Sequence, residues 1–392
     1  MRLTKPAIEK LSIPPGRSEA LFFDDTLAGF GVRLRAGGKR TWVLQYRIGT
    51  KQRRVTIGSL QAIDLDGART EARRLLAKAQ LGHDPQADKL AERAKAAQTV
   101  GANIDRYVRS KADKVRPSTL RETERYLRVH WQPLHEKALH AITRADISER
   151  LDALKAERGG FSADRARAAL SGFLTWAARR GLVSSNAAGE TDRPAINISR
   201  ERVLTDSELR AIWGACRADD YGRIIRLLIL TGQRRDEIGS LRWSEVSLER
   251  GRIELPSSRT KNGRAHEIPL SGTASAVLSE CPRQLARDHV FGQAENGRGF
   301  SGWSKAKVAL DKRIKTASNT PLSPWRLHDL RRTVATRMAD LGVQPHVIEA
   351  LLNHASGSKA GVAGIYNRSS YATEKHQAVA VWEASLIQRI GV

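Results

Sequence analysis

Cysteine is nearly absent: Cys216 and Cys281 are the only two in 392 residues. Two thiols cannot build a disulfide framework or a zinc ribbon, so a reduced, cytoplasmic protein is expected, with both cysteines packed as structural residues. Long apolar runs are missing as well. The greasiest stretch, Ile224 to Leu230, is interrupted by Arg226 and falls far short of the roughly 20 residues a membrane span needs. The opening, MRLTKPAIEKLSIPPG, has no apolar core of the signal-peptide kind. Common enzyme signatures are lacking too: no GxxxxGK[ST] phosphate loop, no HExxH, no GxSxG, and no convincing carboxylate triad for a metal pair. No cofactor and no metal are therefore expected. Negative charge is in short supply, with 42 Asp+Glu against 67 Lys+Arg and a net charge of +25. Such an excess calls for a polyanionic partner, and without a membrane element that partner is expected to be nucleic acid.

What is present falls into three regimes. Residues 1–90 open with alternating apolar and basic residues in Gly31-Val32-Arg33-Leu34-Arg35, the period-2 mark of a half-buried strand. Gly37-Gly38 and Gly49 supply turns, and Thr41 to Arg47 and Val55 to Ile57 read as two further strands. The expected product is a small antiparallel sheet whose exposed face carries Arg33, Arg35, Arg47, Arg53 and Arg54. A helix from about Leu65 to Ala79 follows, closed by Gly82 and Pro85. The stretch from Ala87 to Gln98 reads as a solvated helix or linker.

Residues 99–190 read as all-helical. Thr119 with Glu122, and Thr143 with Asp146, have capping-box spacing. Ser162 is expected to open a helix with Leu170, Phe173, Leu174 and Ala177 on its apolar face, and Gly181 to close it. After a polar connector, residues 201–392 begin with another capping box, Thr205 and Glu208, and an apolar helix that breaks at Thr231-Gly232. A hairpin around 252–269 is expected to turn at Asn262-Gly263, and the remainder reads as helical. The expected fold class is α+β and multidomain: small antiparallel sheet plus helix, then a helical bundle, then a mostly α domain with a small β-hairpin sheet.

The third regime holds a dispersed set of reactive side chains: Arg234 in LTGQRRDEIGSLRW, Lys261 in SRTKNGRAHEIPL, His328 and Arg331 in LHDLRRT, His354 in LLNH and Tyr366 in AGIYNR. Metal-free phosphoryl transfer on DNA needs an oxygen nucleophile, cations around the non-bridging oxygens, an acid for the leaving 5′ oxygen and a base for the nucleophile. Arginine offers a planar fork that matches phosphate oxygens. His328 and Arg331, spaced i, i+3, share one face if LHDLRRT is helical. Lys261 sits beside a tight turn, and Tyr366 follows a stretch rich in small residues, Ser356 to Gly364.

These boxes, in this order, resemble the tyrosine recombinase (phage integrase) family. TGQRRDEIGSLRW is similar to its first-arginine box and LHDLRRT to its second, and Lys261 matches the family's hairpin lysine; Asn353 stands where many relatives have glycine. Residues 99–190 resemble the family's core-binding domain. Residues 1–90, with DDTLAGFGVRLRAGGKRTWVLQYR and GHDP, resemble the arm-binding domain of prophage and genomic-island integrases. The resemblance implies catalytic roles for Arg234, Lys261, His328, Arg331, His354 and Tyr366, with Glu237 a structural partner. It implies a 3′-phosphotyrosyl intermediate, integration and excision of a mobile element, double-stranded core and arm DNA as partners, and a homotetramer on DNA. It leaves room for a DNA-bending protein and an excision factor. Three rivals remain: a type IB-like topoisomerase, a metal-dependent transposase or retroviral-type integrase, and a non-catalytic DNA-binding regulator.

Overall fold

The computed structural model describes residues 1–195, 201–283, 287–292, 299–319, 321–354 and 369–392. Its chain divides into two compact units, 1–198 and 199–392. The first unit contains two separate cores, so the three regimes of the sequence become two units.

The first core belongs to a four-stranded antiparallel sheet in chain order: β1 Glu19–Phe23, β2 Phe30–Arg35, β3 Arg40–Ile48 and β4 Lys51–Ser59. Strand alternation places Phe30, Val32, Leu34, Trp42, Leu44, Tyr46 and Val55 on one face. Helices α1 (Lys5–Glu9) and α2 (Leu65–Gln80) contribute Ile8, Leu65, Ala68 and Ala72 to the same core. The small alanines of α2 let the helix lie close against the sheet, and Trp42 donates its indole N–H to the carbonyl of Ile63 at 2.8 Å. The sheet has one strand more than the three read from sequence: β1 carries no basic alternation and was hidden by its short Ala-Leu-Phe-Phe run.

The second core is a helical bundle. Helix α3 (Pro85–Ala97) leads into it from the sheet, with Lys89 Nζ donating to the carbonyl of Thr56 at 2.8 Å. Helices α4 (Val100–Lys111), α5 (Pro117–Arg125), α6 (Arg144–Arg158) and α7 (Gly160–Ala178) follow. Leu170, Phe173, Leu174 and Ala177 are all buried, as their spacing required. The Thr143–Asp146 capping box forms. The Thr119–Glu122 box does not, because Pro117 starts α5 two residues earlier, with Arg116 at the cap. Helix α7 likewise begins at Gly160 rather than at Ser162.

The second unit is built round α9 (Asp220–Thr231), which is buried along most of its length. Around it lie α8 (Asp206–Gly214), α10 (Arg235–Gly239), α11 (Gly272–Ser279), α12 (Trp303–Ser318), α13 (Leu327–Asp340), α14 (Pro345–Leu351) and α15 (Ala372–Ile390). Trp382 of α15 packs into the core and donates its indole N–H to the carbonyl of Ile229 at 2.9 Å. A three-stranded sheet, β5 Val246–Ser247, β6 Arg252–Leu255 and β7 His266–Pro269, stands beside this core. The hairpin of β6 and β7 exists, but Asn262-Gly263 is not its two-residue turn. It sits inside a loop spanning 256–265, where Thr260 Oγ1 donates to the carbonyl of Arg264 at 2.6 Å.

Candidate active site

Helix α14 ends in a Schellman arrangement. The N–H of His354 donates to the carbonyl of Glu349 at 2.9 Å and that of Asn353 to Ala350 at 3.3 Å, with Asn353 left-handed at φ 50°. Glycine and asparagine adopt that conformation most readily, which explains how Asn353 replaces the family's glycine. The cap leaves three consecutive carbonyls turned away from the helix, those of Leu351, Leu352 and Asn353. They also sit at the negative end of the helix dipole.

Each of the three accepts from a side chain that belongs to the predicted site or lies next to it. Leu351 accepts from Gln233 Nε2 at 2.9 Å. Leu352 accepts from Arg331 Nη2. Asn353 accepts from Arg234 Nη2 at 3.2 Å and from Asn262 Nδ2 at 3.0 Å. One helix end therefore gathers residues from three distant stretches of chain, 233–234, 262 and 331.

Arg331, on α13, is 3% exposed, and its Nη1 donates to the carbonyl of Gly232 at 3.0 Å. Bonds from a charged donor are each worth about 1.5–3 kcal/mol when buried, which is what allows a cation here at all. Burial, then the charge of Arg234, pulls its pKa down to about 10, with Glu237 opposing; it stays protonated at neutral pH. Gly232 has two reasons to be glycine. Its φ is +65°, and a Cβ there would meet Leu352 and Val334 at 2.9 Å. Arg234 caps α10, held by buried Glu237 through Nη1–Oε1 at 2.9 Å.

A cleft of about 570 Å³ is lined by Arg234, Lys261 and His328, together with Gln233, Trp303, Lys307 and Trp325. His328 is exposed in the first turn of α13, one turn before Arg331. Its pKa is lowered first by partial desolvation of the ring and then by the charges of Arg331 and Arg332, with Asp329 opposing. His354 borders a second hollow with Asn353, His266 and Lys375, and its pKa falls for the same reasons, burial first, then Arg331 and Arg234. Both imidazoles are thus neutral at pH 7, competent to take a proton or to donate a neutral N–H. Beneath them His266, 6% exposed, is driven to about 3 by burial and by Lys375. It shares a 3.3 Å hydrogen bond with Oε1 of Gln233, and since that oxygen only accepts, the proton sits on His266 Nε2.

Of the residues expected from the sequence, Arg234 and Arg331 are bonded to the end of α14, Lys261 and His328 line the cleft with Arg234, and His354 borders the second hollow. Tyr366 lies outside the described residues. Tyr371 is the left-handed N-cap of α15, its ring 4.9 Å from that of His346. The reading missed Gln233, His266 and Asn262, which touch the site only through tertiary contacts. A polar residue directly beside Arg234 was the one available signal.

In the N-terminal sheet, Arg33, Arg35, Arg47 and Arg54 share the face opposite the core. Arg33 is bonded there to Glu19 through Nε at 2.9 Å, and Arg54 to Gln45 at 2.9 Å. Arg53 does not share this face. It pairs with Tyr46, on the helix-covered side, and lies 3.5 Å from Asp84. Adjacent residues on a strand point to opposite faces, so Arg53 and Arg54 could not both join the patch.

Such an arrangement can receive an oxyanion: two arginines are held by carbonyls of one helix end, Lys261 and His328 line the cleft beside Arg234, and His354 borders the second hollow. Comparison with known proteins names the class. The phage integrase family matches residues 202–373, and an arm DNA-binding domain matches residues 3–92. The prophage integrase IntA of Escherichia coli K12 is 26% identical, over 99% of this chain and 95% of the relative. Tyrosine recombinase XerC of Roseiflexus castenholzii is 27% identical over 62% of this chain and 80% of its own. Among solved structures, a lambda integrase tetramer bound to a Holliday junction matches with a TM-score of 0.55 at 22% identity, covering 85% of this chain and 97% of that one. The chain belongs to the tyrosine recombinase family of phage integrases and is homologous to prophage integrases. Among the described residues, no helix is long and apolar enough to cross a membrane, and no group of His, Cys, Asp and Glu could hold a metal ion.

Proposed function

We propose that this enzyme cuts and rejoins double-stranded DNA at specific sites, integrating and excising a mobile element such as a prophage or genomic island. Tyr366 attacks a backbone phosphorus: its O–P bond forms as the P–O5′ bond breaks, leaving a 3′-phosphotyrosine and a 5′ hydroxyl. His328 takes the phenol proton, which a free tyrosine with a pKa near 10 releases poorly. Lys261 gives a proton to the departing 5′ oxygen. Arg234 and Arg331 bind the non-bridging oxygens with the edges of their forks not spent on carbonyls, in the manner of an oxyanion hole, and His354 donates a further hydrogen bond. The covalent link conserves the phosphoester energy, so no nucleotide is consumed. The observation that carries this reading is the shared anchorage of Arg234 and Arg331 on consecutive carbonyls, Asn353 and Leu352, which holds two charged forks side by side. Incubation with a nicked attachment-site duplex in EDTA is expected to leave a covalent protein–DNA complex. A chain that cleaves only with added Mg²⁺ belongs to another mechanism.

Residues 1–90 serve as the arm-site domain, 99–190 as the core-binding domain and 201–392 as the catalytic domain. Four copies assemble on two DNA sites, since strand exchange breaks four strands. A DNA-bending protein and an excision factor fit this scheme as accessory partners, and the place of action is the bacterial cytoplasm, at the nucleoid. The open face of the N-terminal sheet contacts arm DNA, with a β-sheet laid in the major groove. Replacing Arg35, Arg47 and Arg54 together by alanine is expected to weaken arm-site binding and to flatten its salt dependence by about 0.9 in log–log slope for each phosphate that is no longer neutralised. Arg53→Ala, on the other face, is expected to leave that slope unchanged. Fluorescence anisotropy across a salt series separates the two.

A further inference from the structure

Lys261 is not held by its own side chain: exposed in the loop 256–265, it makes no hydrogen bond or ion pair to a described residue. A general acid nevertheless has to sit within hydrogen-bond reach of one oxygen, and fixing a loop residue costs backbone entropy. The residues on either side of it supply the constraint.

On the N-terminal side, Arg259 donates to Glu245 Oε1 at 2.7 Å and to the carbonyls of Ser240 at 2.6 Å and Glu237 at 3.2 Å. This ties the loop to α10, the helix that Arg234 caps. On the C-terminal side, Asn262 Nδ2 donates to both oxygens of Asn353, the carbonyl at 3.0 Å and Oδ1 at 2.7 Å, while its Oδ1 accepts from the N–H of Arg264 at 3.2 Å. Every polar atom of the Asn262 amide is thereby oriented. Asn353 is buried, left-handed, and its carbonyl also receives Arg234. The carbonyl that holds the phosphate-binding arginine is therefore the one that holds the loop beside the acid.

We infer that Asn262, latched to Asn353, is a positioning residue that sets Lys261 in register with Arg234. The inference rests on the reading of Lys261 as general acid. It says that the cation pair and the acid form one assembly whose common reference is the carbonyl of Asn353. Asn262 touches neither phosphate nor leaving group and acts only through its neighbour.

The test is cleavage of two suicide substrates, one with oxygen and one with sulfur at the 5′ bridging position, the thiolate needing no proton to depart. On the oxygen substrate Asn262→Ala is expected to be slower by about 10²-fold, the scale of a 1 Å misplacement. On the sulfur substrate it is expected to approach the rate of the unaltered enzyme, as is Lys261→Ala. Asn262→Asp, which keeps the volume and the bond from Arg264 but cannot donate to Asn353, is expected to show the same sulfur-reversible defect with unchanged DNA affinity and thermal unfolding. Normal cleavage of the oxygen substrate by Asn262→Asp overturns the inference. So does a defect in either Asn262 variant that sulfur fails to relieve while Lys261→Ala is relieved. If sulfur relieves neither Lys261→Ala nor the Asn262 variants, the reading of Lys261 itself fails and the inference goes with it.

Discussion

Tyr366→Phe is expected to bind attachment-site DNA normally and to form no covalent complex with it. The loss is all-or-none, because the substitution deletes the one oxygen that becomes part of the phosphodiester. Tyr371→Phe is the informative control. Tyr371 lies only five positions along, within YNRSSY, so sequence proximity does not choose between the two. Tyr371 is left-handed as the N-cap of α15, with its ring against that of His346, a structural place that supports the proposal of Tyr366 as the nucleophile. Tyr371→Phe keeps that ring and should still give an adduct. Mass spectrometry of the trapped complex identifies the phosphotyrosine. A phosphopeptide at Tyr371, or an adduct that survives Tyr366→Phe, would refute the assignment.

The second large effect concerns the paired forks. Arg234→Lys and Arg331→Lys each keep the charge and lose the planar geometry. Each is expected to slow cleavage by roughly 10²–10³, the scale of removing one oxyanion-hole donor. DNA binding is expected to survive, since a chain with net charge +25 has many other cations for phosphates. The two should differ in stability. Arg234 is partly exposed, with side-chain exposure of 21%, whereas Arg331 is buried and bridges the carbonyls of Gly232 and Leu352. A lysine at 331 cannot span both carbonyls, so Arg331→Lys should also lower the unfolding midpoint, while Arg234→Lys should not. Single-turnover cleavage with parallel thermal melts reads both effects. Near-normal cleavage by either variant removes that arginine from the site.

Much of this molecule is written locally. Charge excess, scarce cysteine and missing signatures pointed to nucleic acid. The spacing of His328 and Arg331 placed both on one helix, and Thr143–Asp146 and Thr205–Glu208 formed the caps their spacing announced. These features depend on interactions within a turn or two, so a few neighbouring residues suffice to specify them. Where a nearer rule competed, local reading failed: Pro117 set the start of α5 ahead of Thr119, and strand alternation separated Arg53 from Arg54. The site itself is a different matter. Sequence supplied its cations, but nothing in LLNH says that three carbonyls of a helix end will hold Gln233, Arg331 and Arg234, or that Asn262 will reach Asn353 across 91 positions. Those bonds exist because α14 stops at a left-handed residue and exposes acceptors that must be paired once buried. The chemistry of each side chain was set by the sequence. Which side chains share an acceptor, and hence act together, was decided only when α9, α13 and α14 packed.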